Sequence, residues 1–164
     1  MPKKNISTLP PRAIALTVLS KLLYALADES GASQEVTIYH KNMLVDTIAE
    51  YDLYGRSDEG NSFLITDIPW LQILDQIANH FVQLQKIRAS HDFTQQEVRY
   101  LAAMTCGLTG KEYGLITGFK SHYNLSWSIR QKLGLPQRSS NLRLFFQGTL
   151  TKAPDESLAS NVPK

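Results

Sequence analysis

The sequence predicts a mainly α chain: a small helical N-terminal module over residues 1–90, then a four-helix helix-turn-helix module over residues 91–150. Two observations lead there. Apolar residues recur every three or four positions through much of the first part, which is the period of one helix face. Between Phe93 and Gln147, three glycines (Gly107, Gly118 and Gly134) cut the chain into short pieces, and two of those pieces open on the same four-residue pattern. Thr94 is followed by Glu97 and Thr109 by Glu112, so each pair can form a capping box that satisfies the free amides of a first helical turn. Phe93 with Val98, and Leu108 with Tyr113, occupy the positions of a hydrophobic staple around those boxes. Short helices with such sharply written starts and stops make a compact helix-turn-helix unit.

Taken in order, residues 1–8 read as a disordered start. Pro10 and Pro11 lead into a helix from Arg12 to about Asp28, with Ile14, Val18, Leu22 and Leu26 on one stripe and Gly31 as its stop. Ser33 can cap a second helix that carries Val36, Tyr39, Met43 and Ile48 on one face until Tyr54–Gly55. Arg56 to Ser62 is a loop by composition. The apolar run Phe63–Leu64–Ile65 fits either a short strand or buried loop. Asp67 is expected to cap a third helix with Pro69 in its first turn, running to Ile87 with Ile73, Ile77, Phe81 and Leu84 inward. Arg88 to Asp92 reads as a linker.

In the second module, the first helix spans Gln95 to Cys106 with Val98, Leu101 and Ala102 inward, and the second runs from Gly110 to about Thr117. The third spans Ser121 to Leu133, with Leu125, Ile129 and Leu133 as its inner seam and Tyr123 and Trp127 on a neighbouring stripe. A fourth begins at Ser139 or Ser140 and carries Leu142, Phe145 and Phe146. Residues 151–164 lack an apolar face and are expected to be disordered.

Charge is uneven. The chain carries +2 overall, but residues 1–90 hold eight Lys/Arg against ten Asp/Glu, while residues 91–150 hold seven against three. The basic half is therefore the half with the capped helices, and a basic segment suits a polyanion. The single cysteine, Cys106, rules out an internal disulfide or a multi-cysteine zinc site and fits a reducing cytoplasm; its place at a helix end makes it a small buried hydrophobe. His40, His80 and His91 are not at metal-ligand spacing and read as surface or satisfied histidines, so no metal and no cofactor is expected. No acid–base pair, nucleophile motif or phosphate-binding glycine loop can be assembled, so an enzyme is not expected. No apolar run reaches the ~18 residues of a membrane span. Arg12, Lys21 and the Pro10–Pro11 pair interrupt the N-terminal run that a secretory signal would need.

With its seam turned inward, the third helix should present Asn124, Ser128 and Gln131 to base edges in a major groove. Lys111, Lys120, Ser121, Arg130, Lys132 and Arg138 would stand nearer the phosphates. The order of motifs resembles the LuxR-type (GerE-type) helix-turn-helix of bacterial transcription regulators. The matching residues are Gly107-Leu108-Thr109-Gly110-Lys111-Glu112-Tyr113-Gly114, then Lys132-Leu133-Gly134-Leu135, then Arg138 and Arg143-Leu144. The resemblance covers about a third of the chain. It departs in the recognition helix, where this sequence reads HYNLSW, in a connection about two residues short, and in Gly114, where the family favours alanine.

What the resemblance implies is a cytoplasmic transcription regulator that binds double-stranded DNA. Its N-terminal helices would form a homodimer or meet a protein partner, through an apolar stripe on the first or third helix. The alternative is a protein-interaction regulator, an antagonist or co-regulator that keeps the helix-turn-helix shape without specific DNA binding.

Overall fold

In the computed structural model, described here for residues 9–27, 32–55, 63–118 and 122–134, seven α-helices and one short 3-10 turn share a continuous core. The expected fourth helix of the second module, the stop at Gly31 and the tail lie outside the described residues. Among those described there is no strand, and no helix is long and apolar enough to cross a membrane.

Helix α1 spans Pro11–Leu26, with Pro10 extended at its cap and Pro11 in the first helical position, where its missing N–H costs nothing. Its expected stripe is buried. Arg12 is buried too: its Nε donates to the carbonyl of Asp52 at 3.1 Å, and its guanidinium lies 5.0 Å from the centre of the Phe63 ring. That contact ties the start of α1 to the turn that follows α2.

Helix α2 spans Gln34–Glu50, and Ser33 caps it as expected, its hydroxyl accepting from the amide of Val36. It ends earlier than the sequence suggests, because Asp52 adopts φ 49° and closes a turn that sends Leu53 into the core. Its buried face is also different. Val36 and Tyr39 are exposed, and the core receives His40, Leu44, Thr47 and Ile48. Polar residues hold that face because each has a partner. The Thr47 hydroxyl donates to the Met43 carbonyl at 2.9 Å, and Nδ1 of His40 lies 3.1 Å from Nδ1 of His80. A buried polar group so satisfied costs little.

Phe63–Ile65 is not a strand: it is a partly buried loop leading into a 3-10 turn at Ile65–Asp67, with Phe63 and Ile65 packed against the core and Leu64 exposed. Asp67 caps this turn rather than the next helix, its carboxylate accepting from the Leu64 amide at 2.9 Å. The expected third helix is two helices, α3 over Trp70–His80 and α4 over Val82–Ser90. Phe81 between them is extended (φ −95°, ψ 105°), which delivers its ring to the core. The Gln85 side chain donates to the Ala78 carbonyl at 2.8 Å and so satisfies one of the groups left free by the break.

Helix α4 runs through most of the stretch read as a linker, and the chain reaches α5 (Gln95–Thr105) by way of His91–Thr94. The core does not thin at this junction. Helix α3 packs more extensively against α5 than against any other element. Arg99 on α5 grips the Asp75 carboxylate with two nitrogens, at 2.7 and 3.1 Å, and this bond and the opposite charge raise its pKa despite partial burial. Cys106, at the end of α5, is buried as expected, and burial pushes its thiol pKa up strongly.

The His40–His80 pair fixes a pH response. Burial lowers the pKa of His80 to about 4, assisted by His40 and the nearby Lys41, and burial lowers that of His40 against the opposing effect of a hydrogen bond to Gln76. The unfolded chain takes up protons near pH 6.5, whereas folded His80 does so only near pH 4. Unfolding is therefore increasingly favoured as pH falls through that window, and the effect levels off below it. Urea denaturation at about pH 7 and about pH 5 should show this loss, and His40→Leu/His80→Leu should reduce it.

Candidate nucleic-acid interface

The last three described helices are α5, α6 (Gly110–Thr117) and α7 (His122–Leu133). Both expected capping boxes form. The Thr94 amide donates to Glu97 Oε1 at 2.8 Å, and the Glu97 amide donates to the Thr94 hydroxyl at 3.2 Å. The corresponding distances for Thr109 and Glu112 are 2.8 and 3.0 Å. Phe93, Val98, Leu108 and Tyr113 are all buried in the common core, as their staple positions require. Between α5 and α6, Gly107 adopts φ 86°; its amide bonds the Met104 carbonyl, and the Leu108 amide bonds that of Ala103. This is a Schellman ending, which needs a left-handed residue where glycine stands. Gly118, at φ 70°, ends α6 through a bond to the Gly114 carbonyl at 2.8 Å.

Each box glutamate also holds a distant lysine. Lys21 of α1 reaches Glu112 at 2.8 and 2.9 Å. Lys132, in the last turn of α7, reaches Glu97 Oε1 at 2.6 Å and the Asp92 carbonyl at 2.6 Å. The Ser128 hydroxyl donates to Glu97 Oε2. Burial raises the pKa of the Glu97 carboxyl, but the Lys132 ammonium, the Ser128 hydroxyl and the Thr94 amide together outweigh it and leave it below its ordinary value.

These bonds set the rotation of α7. Leu125 and Ile129 are buried as expected, and Leu133 is half-buried. Asn124 and Gln131 are exposed, on the side expected to meet bases. Ser128, expected beside them, is half-buried and turned to Glu97, because it lies on the border between the outer face and the seam and a buried carboxylate waits on the seam side. Lys132, expected near phosphates, spends its charge on the same carboxylate. Arg130 is half-buried and its guanidinium meets the Ser126 hydroxyl, while Lys111 is exposed on the first turn of α6. Lys120, Ser121 and Arg138 lie outside the described residues.

One residue of this face was not selected from sequence. Trp127 is 57% exposed and stands three residues after Asn124 and four before Gln131, on the same outward stripe. Helix periodicity could have placed it there, since Asn124 and Gln131 were already assigned outward. Among the described residues, the outer stripe of α7 is thus an indole flanked by two amides. Among the described residues, no cluster of three or more His, Cys, Asp or Glu side chains is placed to hold a metal ion.

Lys132→Met should destabilise the protein by about 2–3 kcal/mol, because it strands a carboxylate that is nearly fully buried. Thr94→Ala should cost about 1 kcal/mol. Adding Glu97→Gln to Lys132→Met should cost less than the two single losses combined, since the stranded charge is then gone. Urea denaturation of the four variants measures all of this.

Comparison with known protein families, with characterised proteins and with solved structures finds no match to this chain.

Proposed function

We propose that the chain is a DNA-binding transcription regulator that reads duplex DNA with α7. The observation that carries this reading is the setting of α7. It follows the two capped helices α5 and α6 and packs against both, with Leu125 and Ile129 buried and Asn124 and Gln131 exposed. Amide side chains can bond an adenine edge in two places, and a helix presented in this way fits a major groove. The basic balance of residues 91–150 and the resemblance to the LuxR-type module point the same way.

A second reading is favoured by one feature of the same face. An exposed tryptophan is the residue type most enriched at the centre of protein interfaces, and Ser128 and Lys132 are already engaged within the chain. A protein-interaction regulator would use this face around Trp127.

Fluorescence polarisation against random duplex at two salt concentrations separates the two. A DNA-binding protein should lose affinity steeply as salt rises, because condensed counterions are released on binding. On a preferred site, Asn124→Ala or Gln131→Ala should each cost about 1–3 kcal/mol and cost much less on random sequence. Ser128→Ala should leave base preference unchanged. Absence of binding even at low salt would remove the DNA reading and leave the protein partner.

A further inference from the structure

The exposed face of α2 carries a pattern that the chain itself does not use. Opposite the buried stripe of His40, Leu44, Thr47 and Ile48 stand Ile38, Asn42, Val45 and Ala49, all exposed, with Ile38 and Val45 each at 51%. Their spacing is four, three, four, which is the alternation of a two-stranded coiled-coil seam. Ile38 and Val45 take one set of core positions, and Asn42 and Ala49 the other. The stripe runs along most of a helix spanning Gln34–Glu50.

Lys41 and Asp46 flank this stripe on opposite edges, five residues apart. Among the described residues neither has an ion-pair partner within the chain. In a parallel helix pair, the residue on the leading edge of one copy faces the residue five positions further on in the other. Lys41 would then meet Asp46 of the second copy, and Asp46 its Lys41, by two-fold symmetry. Asn42 would face Asn42 across the seam, where a single buried asparagine selects two strands and one register at some cost in stability. An antiparallel pair sets like edges together and gives Lys41 no Asp46 to face.

We propose that α2 is a self-association helix, pairing in parallel with α2 of a second copy of this chain through Ile38, Asn42, Val45 and Ala49. The inner side of the helix is already held, by the His40–His80 contact and by the Arg12 bond to Asp52 just past its end, so the seam is presented in place. The patch is small. A single seam of this length falls at the low end of specific interfaces, below about 1,200 Å² in total, so the dimer should be reversible and depend on concentration. Its formation does not depend on whether the ligand of α7 is DNA or protein.

Sedimentation of the full chain over a wide concentration range tests the proposal. Reversible dimerisation is expected, and Ile38→Glu should abolish it while leaving the circular dichroism unchanged, and the Tm unchanged at concentrations where the chain is monomeric, because the side chain is exposed. Lys41→Glu alone and Asp46→Lys alone should each weaken association by roughly tenfold or more, since each turns two attractive contacts repulsive. An equal mixture of the two variants should recover it as a heterodimer. Asn42→Cys should give a disulfide-linked dimer under mild oxidation, with Cys106 too buried to compete. A chain that stays monomeric at the highest concentration, as when its own C-terminal residues cover the face, overturns the proposal. So does a dimer indifferent to Ile38→Glu, or a mixture of charge variants that does not reassociate.

Discussion

A buried carboxylate has to be satisfied from several sides at once, and Glu97 organises the basic half of the molecule by meeting that requirement. One oxygen closes the cap of α5 on the Thr94 amide and also takes the Lys132 ammonium; the other takes the Ser128 hydroxyl. Capping is a local bond, but it draws the glutamate into the core, and the desolvated charge then needs a cation. The cation comes from α7, so the residue that starts one helix also fixes the rotation of another. Glu112 repeats the device on α6, with Lys21 supplied from the opposite end of the sequence. Two copies of a four-residue motif therefore do more than start helices. They orient α7 against α5, and α1 against α6.

What could be read from the sequence follows the range of the forces involved. Both capping boxes, both staples and the left-handed glycines at 107 and 118 were legible, because each depends on residues within a few positions of one another. The inner face of α2 was not. Hydropathy favoured Val36 and Tyr39, and only the presence of His80 forty residues away makes His40 a core residue. The break at Phe81 was hidden for a related reason. Its apolar side chain fits a continuous helical stripe equally well, and the Gln85 side chain that completes the break carries no turn signal of its own. The bond of Lys132 to Glu97 was hidden by residue type. Lys132 lies seven positions after Leu125 and three after Ile129, so helical spacing put it on the seam, but a lysine there makes sense only once Glu97 is known to be waiting.

These rotations change the character of the free face of α7. With Ser128 and Lys132 both bonded to Glu97, the described outer stripe is Asn124, Trp127 and Gln131. It is less cationic than composition suggests and carries a larger apolar surface. An amide pair around an indole can bond polar edges and also cover apolar ones, such as a thymine methyl or a protein side chain. Electrostatic attraction would have to come from Lys111 and from basic residues elsewhere in the chain, with α7 supplying discrimination.

The bond between Lys21 and Glu112 bears on modularity. The basic helices read as a cassette that could be cut out near residue 91 and grafted onto another protein. Such a fragment would keep Thr109 and Glu112 but lose the lysine that neutralises the glutamate, and would lose the Asp75 carboxylate that holds Arg99. It would also strip α3, the main packing partner of α5, from the shared core. The two parts are thus interdependent rather than interchangeable. A sequence change in α1 can alter the footing of α6 without touching it, and recombination at the apparent boundary should be poorly tolerated.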